Sequence, residues 1–196
     1  MKRFTLIFSL LFTFGSLALM AQDDEVKTVF SEIEITRISG FGGPEMSFSY
    51  MNGQFAHFTG GGGGVILNNF YFGGYGTSIA NTSEFTNNHE SQIVRYGHGG
   101  LWLGYEFNYI NMIHPVVSIK TGWGSAEVKN GYQHEYENTI FVFTPMVAME
   151  VNVTRYFKVR LGAEYQLVAG INQTSDFSNQ DFSALGANLS FLFGWF

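Results

Sequence analysis

Hydrophobic and polar residues alternate with a period of two along much of the chain, from about Gly43 to Phe196. In the cleanest stretch, which starts at Phe157, every second residue is apolar, and the residues between them are Lys158, Arg160, Gly162, Glu164 and Gln166. Successive side chains of a β-strand point to opposite faces, so this period predicts a strand with one apolar and one polar face. The same pattern recurs around Leu101, Val117, Phe141 and Leu185.

Three noisier stretches, near residues 43–51, 55–67 and 70–79, complete a set of eight predicted strands. Glycines such as the run from Gly60 to Gly64 blur the period there, but they allow the coiling that a small barrel needs. Residues 32–39 also alternate until residues 40–44 break the pattern. This stretch is an extra strand, a kinked start of strand one or a periplasmic tail, so the alternative count is ten strands. Pro145 lies inside predicted strand six, where we expect a bulge.

The connections between these strands alternate in length. Short ones lie at 68–69, 109–113 and 153–156, and longer polar ones lie at 80–92, 129–138 and 172–181. Short periplasmic turns and longer outer loops are typical of bacterial outer-membrane barrels. Asn52 and Gly53 make the first outer loop unusually short. We therefore predict an all-β fold, a closed antiparallel up-and-down transmembrane β-barrel with eight strands.

The first residues predict export. Lys2 and Arg3 precede an apolar run from Phe4 to Leu19, and the small residue Ala21 comes before polar positions, as in a cleaved signal peptide. An uncleaved anchor helix is the alternative, although the run is shorter than the ~20 apolar residues that a spanning helix needs. The predicted organisation is a signal peptide at 1–21, a periplasmic segment or start of strand one at 22–42, and the barrel at 43–196.

Composition excludes several classes of protein. The chain has no cysteine, so it lacks a disulfide framework and a lipoprotein anchor. Its net charge of −6 argues against nucleic acid as a partner, because phosphate binding needs clustered Lys and Arg. Aromatic residues make up 17% of the chain and charged residues only 13%, so the apolar strand faces must be hidden in a core or in lipid.

The polar faces of the predicted strands carry balanced charges, which we expect to form an ion-paired network inside the barrel. An eight-stranded barrel is just wide enough to be filled by its own side chains, so we predict a filled lumen without an open pore. The alternatives are a proton or ion path, or a small catalytic carboxylate site. The predicted lumen charges are Glu106, Lys120, Glu150, Lys158, Arg160 and Glu164.

Aromatic residues collect at the predicted strand ends, where the interfacial girdles of a membrane barrel belong. On the periplasmic side they are Tyr71, Phe107, Tyr109, Tyr156, Phe157, Trp195 and Phe196. Trp123 belongs to the outer girdle.

Taken together, these features resemble the small outer-membrane β-barrel proteins of Gram-negative bacteria. The resemblance is architectural and covers about Gly43 to Phe196. It implies an outer-membrane location and recognition of the aromatic chain end, with Phe196, by the barrel-assembly machinery. Phe196 is in phase with Ser190 rather than with the lipid-facing Phe191 and Phe193, so this terminal signal departs from the pattern of the family.

Candidate chemistry is sparse. The five histidines lack the spacing of a metal site, and residues 133–137, which contain His134, are better explained as a solvated loop, so we predict no metal and no cofactor. His89 and Ser91 form a pair that resembles the His and Ser of outer-membrane lipid A deacylases, with His89 as base and Ser91 as nucleophile. A His-x-Ser pair is common by chance.

The leading hypothesis is a non-enzymatic outer-membrane barrel with a structural or surface-interaction role. Outer-membrane lipid and lipopolysaccharide are the expected partners, and a monomer is the expected state. A lipid-modifying outer-membrane enzyme and a soluble exported ligand-binding barrel are the alternatives.

Overall fold

A computed structural model describes residues 34–51, 53–80, 84–87, 90–130, 134–171 and 178–196, with the backbone alone described at 84–87, 90–94, 128–130 and 134–137. The predicted signal peptide and His89 lie outside the described residues. Within the described part of the chain, no helix is long and apolar enough to cross a membrane.

The described residues contain nine strands, of which eight form one closed barrel. All neighbouring strands are antiparallel, and the pairing of β1 with β9 and of β3 with β5 closes the sheet. The short β4 pairs only with β5 among the described strands. The strands are β1 (Ile38–Met51), β2 (Gln54–Leu67), β3 (Phe70–Ile79), β4 (Glu84–Asn87), β5 (Glu90–Glu106), β6 (Ile113–Asn130), β7 (His134–Thr154), β8 (Phe157–Ala169) and β9 (Ala184–Gly194).

The two faces of the barrel differ as the alternation predicts. Large apolar side chains stand exposed on the outer face, as shown by Leu161 at 62% and Leu185 at 68%. The residues adjacent to them along each strand point inward and are buried, including Arg160 and Ala184. An apolar outer face on a closed sheet suits hydrocarbon, because closure satisfies the backbone hydrogen bonds within the sheet.

The two ends of the barrel also differ. One end of the barrel, here named the turn end, carries the short connections: Asn68 and Asn69 join β2 to β3, and Arg155 and Tyr156 join β7 to β8. β1 begins and β9 ends at this same end. Asn68 adopts a φ of 56°, and its side-chain oxygen accepts hydrogen bonds from the backbone N–H groups of Thr36 and Arg37. This turn therefore fixes the segment that enters β1. The opposite end is named the loop end.

Two expectations about the strands were wrong. β1 starts at Ile38 and runs through residues 40–44, which pair with β2 and do not break the strand, so the alternation at 38–39 belongs to β1. Pro145 causes no bulge: the register with β8 is the same at Phe143 and at Met146, and only the pairs between them are missing. The register shift in β7 lies between Asn152 and Thr154, beside the turn end.

Two of the predicted long outer loops contain strand. β6 and β7 continue to the pair Asn130 and His134, so most of the stretch 129–138 belongs to a hairpin. In the stretch 80–92, β4 pairs with the start of β5. Polar residues continue both ladders here, and without an apolar face the alternation could not reveal them. Residues 170–183, between β8 and β9, contain no strand among those described.

Some glycines make room for large side chains inside the barrel. A Cβ on Gly62 would lie 2.9 Å from the indole of Trp102, and a Cβ on Gly104 would overlap the ring of Tyr71. These contacts give a packing reason for glycine at both positions: each faces an aromatic ring across a lumen with no spare width.

Candidate functional site in the barrel lumen

The lumen near the turn end contains a buried ionic group, here named the turn-side cluster: Arg37, Glu106, His114, Glu150, Lys158 and Arg160. Lys158 lies at its centre, with Nζ 3.2 Å from Oε1 of Glu106 and 2.7 Å from Oε1 of Glu150. Arg37 Nη1 donates to Oε2 of Glu106 at 3.0 Å. Four strands, β5 to β8, and the residue before β1 thus supply one continuous network.

Glu150 is the most heavily contacted carboxylate of this cluster and is fully buried. Arg160 donates to its Oε2 from Nε at 2.7 Å and lies 2.5 Å away through Nη2. His114 Nε2 lies 3.2 Å from Oε1. Arg160 also donates from Nη1 to the hydroxyl of Tyr71 at 2.7 Å, so the guanidinium links the carboxylate to an aromatic ring. Buried charges persist only when they are paired and hydrogen-bonded, and this geometry meets that requirement.

A second ionic group lies at mid-height and is named the mid-lumen cluster: Glu45, Lys120 and Glu164. Lys120 Nζ donates to Oε2 of Glu45 at 2.6 Å and lies 3.8 Å from Oε2 of Glu164. His98 and Tyr75 lie beside it, with the Tyr75 hydroxyl 2.9 Å from Nδ1 of His98. The Lys120–Glu45 contact is direct, whereas Glu164 is held at a longer range.

An aromatic layer lies between the two clusters. The ring of Trp102 is 5.2 Å from Lys120 Nζ and 5.6 Å from the Arg160 guanidinium carbon. Phe41 and Tyr71 pack edge-on against the same indole at 5.5 and 5.7 Å. One cation from each cluster therefore contacts the indole of Trp102, and apolar rings fill the space around it.

The loop end of the lumen is filled by apolar side chains, here named the loop-end plug. It includes Ile140 and Val142, which are fully buried, together with Phe182 from the connection between β8 and β9. Its other members are Met51, Ala56, Phe58, Tyr96, Ala126, Val168, Ile171 and Ala184. The described lumen thus passes from an ionic cluster through aromatic rings and a second ionic cluster to an apolar plug.

Glu106, His114 and Glu150 are the one described set of residues that could supply three metal ligands, with their ligand atoms within 4.8 Å of one another. Lys158 Nζ lies within hydrogen-bond distance of both carboxylates, so an ammonium group takes the position that a metal ion would need. The donor set fits an ion-pair network better than a metal centre.

The structure brings the six lumen charges named from the sequence together in two clusters rather than one. Sequence reasoning missed Arg37, Glu45 and His114, which complete these clusters. Arg37 precedes the predicted strands, and Glu45 lay in a stretch whose period is blurred by glycine. His114 is in phase with Val116 and Ser118 on the inner face of β6, so the period of two was the signal that could have identified it.

Some of the aromatic residues named for the interface are exposed, and others pack against a neighbouring side chain. Trp123, Trp195 and Tyr156 are more than half exposed on the outside, and Phe107 is exposed at the turn end. Phe157 stacks on Phe193 at 4.9 Å, and the Tyr109 ring lies 4.0 Å from the Arg37 guanidinium.

Tyr71 was placed wrongly: it is only 2% exposed and points into the lumen, because its neighbours Phe70 and Phe72 take the outer face. Phe196 packs against a cluster of buried apolar side chains that includes Tyr71 and Leu192, and its ring lies 4.4 Å from Lys158 Nζ.

The catalytic pair suggested by the sequence cannot be assembled from described atoms. His89 lies outside the described residues, and Ser91 is described only as backbone in β5. Residues 134–137 of the histidine-containing stretch are likewise described only as backbone in β7. Glu106, a carboxylate of the same strand as Ser91, lies in the turn-side cluster with Arg37 and Lys158 as its partners.

Comparisons with known proteins agree with this fold. No family model matches the sequence, and no curated protein matches it. Among solved structures, the chain is similar to Neisserial surface protein A, with a TM-score of 0.56 at 12% identity over 81% of this chain and 96% of that one. It is also similar to Ail, the attachment invasion locus protein of Yersinia pestis, in complex with the heparin analogue sucrose octasulfate. That match has a TM-score of 0.52 at 12% identity and covers 81% of this chain and 97% of the other.

The closed eight-strand sheet, its apolar outer face and this structural likeness define the class of the protein. It has the fold of the small outer-membrane β-barrels of Gram-negative bacteria. Among the described residues, the candidate functional features are the two lumen clusters and the aromatic layer between them.

Proposed function

We propose that this protein is a non-enzymatic outer-membrane barrel with a sealed lumen and a structural or surface-interaction role. The observation that carries the proposal is the series of contacts through the lumen. Lys158 and Glu150 are at most 1% exposed, and Trp102 is equally buried above them. An ion crossing the barrel would have to break several buried charge pairs and then pass an apolar plug, which is costly in a low-dielectric interior.

The surface role is supported by the strands that project at the loop end. β8 ends at Ala169, which pairs with Phe141 of β7. β7 itself begins at His134, seven residues before Phe141, and is paired with β6 from there on. At ~3.3 Å per residue the β6–β7 hairpin extends roughly 20 Å along the strand direction beyond that pair. A hairpin of this length would present polar residues to the outside of the cell.

The charge of the outer connections indicates what they would contact. In the sequence they hold Glu84, Glu90, Glu135, Glu137, Asp176 and Asp181 against Lys129. The structural neighbour Ail is seen with a sulfated sugar analogue, but an acidic surface repels polyanions, so we do not transfer that ligand class to this chain. We propose contact with the hydrated lipopolysaccharide surface and its divalent cations, or with a partner protein.

The proposal also includes assembly and oligomeric state. We propose that the barrel-assembly machinery recognises the last strand and its aromatic end at Trp195 and Phe196. We propose further that the folded barrel is a monomer.

The sealed lumen can be tested by single-channel recording in planar lipid bilayers. We expect the purified wild-type barrel to give no ion-conducting steps, and a Lys158→Ala/Glu150→Ala/Arg160→Ala variant, which removes three of the six turn-side residues, to stay closed as well because the loop-end plug remains in place. Stable conductance by the wild type, at the level of an open-pore porin, would contradict the proposal. Unboiled and boiled gel mobility after cell fractionation confirms that each sample is a folded membrane barrel.

The enzymatic alternative has a separate test. Purified protein is incubated with labelled lipopolysaccharide, and release of acyl chains is measured for the wild type, His89→Ala and Ser91→Ala. We expect no release from any of the three. Release by the wild type that is lost in both variants would establish the enzyme instead.

A further inference from the structure

A cavity of about 520 Å³ opens at the turn end, below the turn-side cluster. It lies between the segment entering β1, the β5–β6 turn, the β7–β8 turn and the chain end. Three cations line it, namely Arg37, Arg155 and Lys158, and no acidic side chain does. Cationic residues are rare in this chain, which contains 10 Lys and Arg against 16 Asp and Glu, so their convergence on one cavity is a specific feature.

The pairing within the turn-side cluster leaves positive charge over. The cluster and the cavity together contain the charged side chains of Arg37, Arg155, Lys158 and Arg160 against those of Glu106 and Glu150, four positive side chains against two negative ones. Arg155 lies at the surface, in the β7–β8 turn. The excess positive charge therefore faces the mouth of the cavity, where an anion can reach it.

Arg37 has donor capacity that its protein contacts do not use. Its Nη1 donates to Glu106 and to the backbone carbonyl of Asn68, both at 3.0 Å. Its Nε and Nη2 are themselves buried and have no hydrogen-bond partner among the described residues, and the side chain is only 11% exposed. The guanidinium is held 4.0 Å from the ring centre of Tyr109, so its plane is fixed before any ligand arrives. A preordered guanidinium at the wall of the cavity supplies a fixed positive charge that favours a phosphate group.

The surroundings of the cavity are those of a membrane interface. Ile110 and Met112, which line it, are 83% and 67% exposed, and Trp195 at the same end is 74% exposed. Exposed apolar and aromatic side chains next to buried cations match the boundary between lipid headgroups and acyl chains. A free inorganic ion would use the cations but would leave this apolar rim uncovered.

We propose that the turn-end cavity binds the phosphate group of an anionic phospholipid from the periplasmic leaflet. Arg155, the exposed cation, holds the phosphate oxygens, the buried Arg37 and Lys158 add positive charge from the cavity wall, and the acyl chains lie over Ile110 and Met112. This inference goes beyond the proposed surface role, because it concerns the opposite end of the barrel. It also does not depend on whether the lumen conducts ions.

The test is native mass spectrometry of the purified full chain in micelles that contain equal amounts of phosphatidylglycerol and phosphatidylcholine. We expect the wild type to retain phosphatidylglycerol preferentially. Arg155→Gln should reduce the preference about fivefold, the effect of losing one basic residue at an anionic lipid surface, and Arg155→Lys should keep most of it. Arg95→Gln is the matched control, because Arg95 is an exposed arginine of β5 towards the loop end.

Results of two kinds would overturn this proposal. One is equal retention of the two lipids by the wild type, or a preference that Arg155→Gln and Arg95→Gln reduce to the same extent. The other is complete displacement of the lipid by inorganic phosphate at equal concentration, which would show that a free phosphate is the ligand. Arg155 is exposed in a turn, so its substitution should leave the heat-modifiable gel mobility unchanged, and that measurement is made for every variant.

Discussion

Replacing Glu150 with Gln tests the physical basis of the turn-side cluster. The substitution keeps the shape of the side chain but removes the charge that balances Lys158 and Arg160. Three donor atoms surround the Glu150 carboxylate, namely Lys158 Nζ and Arg160 Nε and Nη2, at 2.7, 2.7 and 2.5 Å. His114 Nε2 lies 3.2 Å from the same carboxylate. An amide has a single acceptor oxygen, and its NH₂ group would face cations.

The magnitude follows from the burial of the cluster. Glu150 is 0% exposed and both of its cationic partners are 1% exposed, so the cations left behind cannot recover hydration. Breaking a buried ion pair by removing one partner costs about 3–5 kcal/mol. Glu106 still contacts Lys158 at 3.2 Å, which places the expected loss near the lower end, about 3 kcal/mol.

The assay is urea unfolding in lipid vesicles, followed by tryptophan fluorescence and by the shift in gel mobility. Glu164→Gln is the matched control, because this glutamate contacts Lys120 only at 3.8 Å and should lose about 1 kcal/mol. Adding Arg160→Gln to Glu150→Gln should restore part of the stability, since it removes one of the uncompensated cations. The reasoning is refuted if Glu150→Gln unfolds within about 1 kcal/mol of the wild type, or if both glutamine variants lose the same stability.

Two further predictions concern the outer face and the lumen packing. Leu161→Arg puts a charge into hydrocarbon on the outer face of β8 and should destabilise the barrel by about 2–4 kcal/mol in vesicle unfolding, whereas Thr139→Arg, nearer the loop end, should cost about 0–1 kcal/mol. Equal losses would argue against a membrane-buried outer face. Gly104→Ala places a Cβ into the Tyr71 ring and should cost about 1–3 kcal/mol, whereas Gly76→Ala meets nothing within 4 Å and should be neutral. Thermal unfolding measures both, and a neutral Gly104→Ala would show that Tyr71 can move aside.

A local pattern of residues does not show how a stretch pairs with neighbouring strands, and several features of the fold differ from expectation for this reason. Residues 40–44 look like a break because they contain glycines and a proline, but β2 pairs with each of them. Pro145 suggested a bulge, yet the β7–β8 ladder omits two pairs and keeps its register. The hairpin above Phe141 was predicted as loop because, beyond the membrane, a strand no longer needs an apolar face.

The period of two in the sequence was enough to predict eight barrel strands, the lipid-facing side of each and the inward direction of the lumen charges. The period is informative because the face of a barrel strand that contacts a bilayer must be apolar, so apolar residues occupy every second position. Pairing inside the lumen was decided only by the closed barrel. Glu45 meets Lys120 at a separation of 75 residues, and Tyr71 meets Arg160 at 89. Such partners depend on strand register and stagger around the barrel, which no single stretch of sequence contains.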